Sequence, residues 1–131
     1  MKIAVVTDST AYLTKEEYAE YGIYVLPMSV IFGQETYREE IDITAEEFYA
    51  KVKSSPVFPT STQPAVGETY ELFHELAKDY DAIIPITISS GISGTYQTCV
   101  AVAEDMKDEI AIYPIDSEIS CAPQARAVKL A

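Results

Sequence analysis

The apolar run Ile3-Ala4-Val5-Val6 limits the folds open to this chain more than any other feature. It has no polar side chain to turn toward water, so as a strand it must be covered on both faces. Ala82–Ile88 is a second such run, and Ile23–Leu26 and Ile110–Ile115 are further candidate strands. Helical stretches lie between them. Thr14 with Glu17, and Thr44 with Glu47, spell two capping boxes, and Leu13 is placed to staple onto Tyr18. Gly22 suits the left-handed position that ends the first helix. Ala45, Phe48, Tyr49 and Val52 mark the stripe of a second helix. Val66, Tyr70, Phe73, Leu76, Ala77 and Tyr80 mark a third, and Tyr96, Cys99, Val100 and Ala103 a fourth. Gln124–Ala131 reads as the first half of a fifth. Strands alternating with helices predict an α/β fold, a three-layer α/β/α domain around a mainly parallel sheet. Met28–Phe32 and Glu35–Arg38 flank Gly33-Gln34, which predicts a hairpin outside the parallel core.

Charge removes whole classes of function. Nine Lys and Arg stand against 21 Asp and Glu, a formal charge of −12. Such a chain has no basic footprint for nucleic acid and is repelled by anionic membranes. No apolar run approaches the length of a membrane span, and no signal peptide is visible. Cys99 and Cys121 are too few for a disulfide framework and are expected as free thiols in a reducing cytoplasm. With one histidine and no Cys-x-x-Cys, no structural zinc is expected. That histidine, His74, flanks the buried stripe of the third helix and is expected on the surface. A Ser-His-Asp hydrolase therefore lacks its base.

Three strand ends carry hydroxyls: Asp8-Ser9-Thr10, Ser89–Thr95 and Asp116-Ser117. In an open parallel sheet, ligands bind beyond the carboxyl ends of the strands. Ser89–Thr95 places two glycines among small hydroxyl residues directly before a helix, whose free N–H groups suit a carboxylate or a phosphate. The competing reading is that Ser93 or Thr95 only caps that helix. Thr60-Ser61-Thr62 offers three more hydroxyls in a polar loop pinned by Pro59 and Pro64, with capping again the alternative. Asp8 and Asp116 read either as cation ligands or, more simply, as acceptors for N–H groups of their own turns. The acids Glu39, Glu40, Asp42, Glu46 and Glu47 read as a solvated face or as a dock for a basic partner.

Val6-Thr7-Asp8-Ser9-Thr10, Pro59-Thr60-Ser61-Thr62-Gln63-Pro64, Ser89-Ser90-Gly91-Ile92-Ser93-Gly94-Thr95-Tyr96-Gln97 and Ile115-Asp116-Ser117 follow one another along the chain. In that order they resemble four motifs of the DegV-like fatty-acid-binding proteins. These are an opening strand and turn, a Thr-Ser-Gln-Pro loop, a Ser-Ser-x-Leu-Ser-Gly-Thr-Tyr-Gln signature and a further strand end. Ile92 replaces the Leu, the hydroxyl pair is reversed as Ser61-Thr62, and Ala65 replaces a Ser. Pro123 and Ala125 replace two glycines.

The resemblance spans the whole chain but about half of a family member. Residues 1–131 are thus expected to be the N-terminal α/β domain, with the family's second domain absent. It implies a carrier rather than an enzyme, with no cofactor and no metal. The ligand would be a long-chain fatty acid, its carboxylate held by Ser61, Thr62, Ser93 and Gly94 in what is here a half-site. The partners implied are a fatty-acid kinase, to which the carboxylate is presented, and a second half or a second copy covering the open face. The alternative is a phosphosugar- or phosphate-binding regulatory domain using the same serine-glycine helix start.

Overall fold

In the computed structural model, which describes residues 1–131, the first apolar run extends to Asp8 as β1 (Ile3–Asp8). A 3-10 turn (Ser9–Ala11), α1 (Lys15–Tyr21), β2 (Ile23–Leu26), β3 (Ser29–Phe32) and β4 (Glu35–Arg38) follow. Then come α2 (Ala45–Ser54), β5 (Thr60–Thr62), α3 (Val66–Leu76) and β6 (Ala82–Thr87). The chain ends with α4 (Thr95–Asp105), β7 (Ala111–Ile112), β8 (Ile115–Asp116) and α5 (Cys121–Leu130).

The main sheet is parallel in the order β2-β1-β6, with β7 and β8 one after the other along the far edge of β6. Ala4, Val6 and Ile83 point to one face, where Phe73 and Leu76 of α3 and Cys99 and Val102 of α4 cover them. Val5, Ile84 and Ile86 point to the other, under Leu13, Tyr18 of α1 and Val128 of α5. The all-apolar strand is thus buried on both sides, and the three layers are those expected. Full burial of a side chain such as Phe73 contributes roughly 1.5–3 kcal/mol. Both capping boxes form: Thr14 and Glu17, and Thr44 and Glu47, each exchange side-chain-to-backbone bonds of 2.8–3.2 Å. Gly22 closes α1 at φ 63°.

The hairpin β3–β4 lies in a separate antiparallel sheet, order β4-β3-β5. Val30, Phe32 and Ile43 form its own small core against Phe48 and Val52 of α2. Thr60–Thr62, expected as loop, is the third strand of this sheet, with Ser61 opposite Val30. Pro59 and Pro64 bracket it, which keeps it to one short edge strand. The strand expected over Ile110–Ile115 is split in two. Pro114 has no N–H to give the ladder, while Tyr113 N–H still donates to the carbonyl of Ile83 at 2.9 Å. Residue Ile110 packs into the core ahead of the strand. Helix α5 starts at Cys121, three residues before the expected Gln124, because Pro123 is tolerated in a first turn whose N–H groups lack helical acceptors anyway. Tyr49 and Val66, expected on buried stripes, are exposed.

The carboxyl ends of β1 and β6 are joined by the side chain of Asp8, which is fully buried. Its Oδ2 accepts the N–H of Ile88 at 2.7 Å, just past β6. Its Oδ1 accepts Thr10 N–H at 3.0 Å, the Thr10 hydroxyl, and Nε2 of Gln124 from α5 at 3.2 Å. Gln124 is itself fully buried and also donates to Thr7 Oγ1 at 3.1 Å. Asp8 is therefore an acceptor for backbone N–H groups, its own turn's included.

Two outcomes are expected. Asp8→Ala leaves the Ile88 N–H buried without an acceptor, takes from Gln124 one of its two acceptors, and lowers unfolding free energy by about 2–4 kcal/mol in urea titration. Asp8→Asn, which keeps one acceptor, loses less. In thiol labelling at pH 8, exposed Cys121 reacts in the folded protein. Cys99, whose thiol burial pushes up to about 12 with a smaller contribution from Asp8, reacts only as the chain unfolds.

Candidate functional site

The chain leaves β1 toward β2 on one side and returns at β6 on the other, so the crevice beyond β1 and β6 is where a parallel sheet offers a binding site. A cleft of about 480 Å³ opens there. Its hydroxyl-bearing walls come from three separate stretches: Thr10 after β1, Ser61 and Thr62 on β5, and Ser93 with Gly94 at the start of α4. Met28, Ile88 and Ile92 supply its apolar part. All four residues singled out in the sequence, Ser61, Thr62, Ser93 and Gly94, thus line one cleft.

Each wall is held by a local cause. Register places Ser61 opposite Val30 and Thr62 opposite Ser29, so β5 carries the hydroxyls to the crevice as the edge of the small sheet. That sheet is tied to β1 by Ser9, whose Oγ accepts Met28 N–H at 2.9 Å and donates to Glu39 at 2.7 Å. Between Thr62 and α4 lies Gln63. Its amide Nε2 donates to Thr98 Oγ1 at 2.8 Å, and it crosses directly over Gly94. A Cβ on Gly94 would sit 2.1 Å from Gln63 Oε1, so the glycine makes room for the glutamine.

Gly94, not Ser93, is the N-cap residue of α4. Ser93 still serves the helix start, because its Oγ accepts Thr95 N–H at 3.3 Å and lies 2.9 Å from Thr95 Oγ1. Either hydroxyl of that pair can be the donor, and Thr95 Oγ1 is also in reach of Met28 Sδ at 3.7 Å; with the Thr95 proton on Ser93 Oγ, the Ser93 proton is free for the cleft. Thr10 is different, since its proton goes to Asp8. Ser61 and Thr62 make no side-chain bond within the protein, and both are exposed. The first turn of α4 adds backbone N–H groups without helical acceptors. No Lys, Arg, His, Asp or Glu lines the cleft. It holds donors without a formal charge, and the one carboxylate beside a lining hydroxyl is Asp8, buried behind Thr10 and already bonded to the N–H groups of Ile88, Thr10 and Gln124.

Sequence reasoning did not assign Thr10, Gln63 and Met28 to the site. Thr10 and Gln63 sit inside the quoted motifs, and their motif positions were the available signal. Met28 carries none, because only the fold brings it against Thr95, at 3.7 Å from Sδ to Oγ1. Asp116 accepts the N–H of Glu118 in its own turn at 3.0 Å and that of Ser90 in the loop after β6 at 3.1 Å, and bonding from the Ser90 side chain and then the Glu118 backbone holds its carboxyl below the usual carboxylate range. The residue His74 is exposed on α3, 2.7 Å from Glu109 and away from the cleft. No three His, Cys, Asp or Glu cluster as metal ligands, and no helix is long and apolar enough to cross a membrane.

A family model described as "Uncharacterised protein, DegV family" matches residues 2–131. Protein DegV of Bacillus subtilis is 52% identical over 124 residues, which are 95% of this chain and 44% of that protein. The crystal structure of DegV, a fatty acid binding protein from Bacillus subtilis, superposes with a TM-score of 0.92 at 48% identity, covering 99% of this chain and 47% of that one. A stearic acid-binding protein from Eubacterium ventriosum superposes at a TM-score of 0.88 with 27% identity, over 96% of this chain and 45% of its own. This chain therefore spans about half the length of the relatives it matches. On the family match and on its likeness to the Bacillus protein, the chain belongs to the DegV family.

Proposed function

We propose that the cleft holds the carboxylate of a long-chain fatty acid, with the hydroxyls of Ser61, Thr62 and Ser93 and the backbone at Gly94 as donors. The observation that carries this reading is their convergence, from two distant stretches, on one cleft free of charged side chains. A carboxylate is a monoanion, and two or three charge-assisted bonds from hydroxyl and N–H groups satisfy it. A phosphate ester near neutral pH approaches two charges, and sites for it typically add Lys or Arg. The absence of either here favours the carboxylate over the phosphosugar alternative. The fatty acids named for the related structures point the same way.

In this reading the protein is a carrier and not an enzyme: its hydroxyls serve as donors to a bound carboxylate, and the Asp8 carboxylate behind Thr10 serves as an acceptor for backbone N–H groups. It presents the acyl carboxylate to a fatty-acid kinase in the cytoplasm. The chain supplies half of the site, as the N-terminal domain, and the other half comes from a second domain or a second copy. Ile92, Ile115 and Ile119 stand exposed around the carboxyl end of β6 and β8, with Ile92 at 70% exposure. Such apolar surface calls for cover.

Two outcomes are expected. Ser93→Ala, assayed by native mass spectrometry for retained fatty acid with the second half supplied, weakens binding about 10- to 150-fold, the loss of one hydrogen bond to a charged group. Its melting temperature falls only slightly, because the Thr95 N–H bond it loses at the helix start is long, at 3.3 Å, and is worth about 1 kcal/mol. Unchanged retention removes Ser93 from the site, and a collapsed melting temperature assigns it to the helix start alone. Sedimentation of the 131-residue chain shows concentration-dependent association, or pairing with a separately supplied second half. A monomer at all concentrations, indifferent to that half, contradicts the half-site.

A further inference from the structure

Beside the hydroxyl cleft, sharing only Ser61 with it, lies a second hollow of about 290 Å³. It sits between the small sheet, the first turns of α2 and the turn after β1. Four aromatic rings line it: Tyr12, Phe48, Tyr49 and Phe58. So do two carboxylates, Glu39 and Glu40, and no basic residue. Some acids on this surface have counter-ions, as in Arg38–Asp42, Lys51–Glu35 and Lys129–Glu17. Glu39 and Glu40 have none within salt-bridge distance.

Glu39 is half-buried, and only its Oε2 is bonded, to Ser9 Oγ at 2.7 Å. Burial raises its carboxyl above the usual carboxylate range, and the nearby charges of Glu40 and Asp8 add to the rise. The environment thus penalises the negative charge, as a site awaiting a cation would. Glu40 is held at φ 64°, in the left-handed region that favours glycine. A side chain is kept there at a backbone cost, and it faces the hollow.

Aromatic faces and carboxylates together attract a cation on an apolar stem, the rings by their quadrupoles and the acids by charge. We infer that this hollow takes the Arg or Lys side chain of a protein partner. The net charge of −12 steers a basic surface toward it. The shared wall at Ser61 places that partner beside the hydroxyl cleft. The inference holds whatever anion the cleft binds.

The test is binding to the full 131-residue chain of a blocked Gly-Arg-Gly peptide, followed by amide chemical shifts, with the citrulline peptide and butylguanidinium as controls. The arginine peptide is expected to bind at least about tenfold more tightly than the neutral citrulline peptide, to weaken as salt rises, and to shift Tyr12, Phe48 and Phe58. Glu39→Gln with Glu40→Gln is expected to remove that preference. Should Glu39→Gln unfold the chain through its Ser9 bond, Glu40→Gly serves instead. It relieves the left-handed backbone, keeps the fold and still weakens the arginine peptide severalfold. Equal binding of arginine and citrulline, shifts elsewhere than in the hollow, or full affinity in these variants overturns the cation site. Butylguanidinium binding as tightly as the peptide overturns the protein source in favour of a free small cation.

Discussion

The buried carboxylate of Asp8 is the interaction on which the binding end of the sheet depends. Parallel strands leave their last backbone groups without a ladder partner, and at β1 and β6 that end is deep in the protein. One oxygen of Asp8 takes the first free N–H beyond β6, and the other takes the turn after β1 together with Gln124 from α5. Three elements far apart in sequence are thereby pinned around one point. Both oxygens are hydrogen-bonded, which is what permits a buried acid. The same bonds set the chemistry of the crevice, because Thr10 gives its proton inward and presents only an acceptor to the cleft.

The small sheet acts as an arm that carries the second set of hydroxyls to that crevice. Its pairing with β5 fixes which residues face where, with Ser61 on the face of Val30 and Thr62 on the face of Ser29, so the edge of the strand and not one face presents both to the crevice. Ser9 and Glu39 link the arm to β1, and Gln63 links it to α4 across Gly94. The cleft is therefore built by latches at both of its sides, and each latch joins a different pair of layers. Gly94 is required by close approach rather than by its backbone angle, which is an ordinary φ of −80°.

Charge separates the two hollows although they share a wall. The hydroxyl cleft has donors and no formal charge, a setting that favours a monoanion held by hydrogen bonds. The aromatic hollow has two unpaired acids and repels the same anion. Two neighbouring cavities of opposite preference let the protein hold a ligand in one and engage a basic surface at the other.

Much of the architecture was legible in the sequence because it follows from local chemistry. Runs without polar residues must be covered on both faces, Thr-x-x-Glu pairs start helices, and hydroxyls gather where strands end. Those rules are short-range, and they located β1, β2, β6, the hairpin and the starts of α1 and α2. They missed what depends on distant partners. Thr60–Thr62 is polar and short, and it becomes a strand only because β3 offers it an edge. Ile110–Ile115 looks continuous, but Pro114 breaks the ladder that β6 offers. Tyr49 fits an apolar stripe and yet faces outward into a hollow formed by other elements. By itself the sequence determined the layers and which residues carry the hydroxyls. Only the tertiary structure decided that Ser61, Thr62, Ser93 and Gly94 share one cleft, because their meeting rests on bonds from Asp8, Ser9 and Gln63 to residues 19 to 116 positions away.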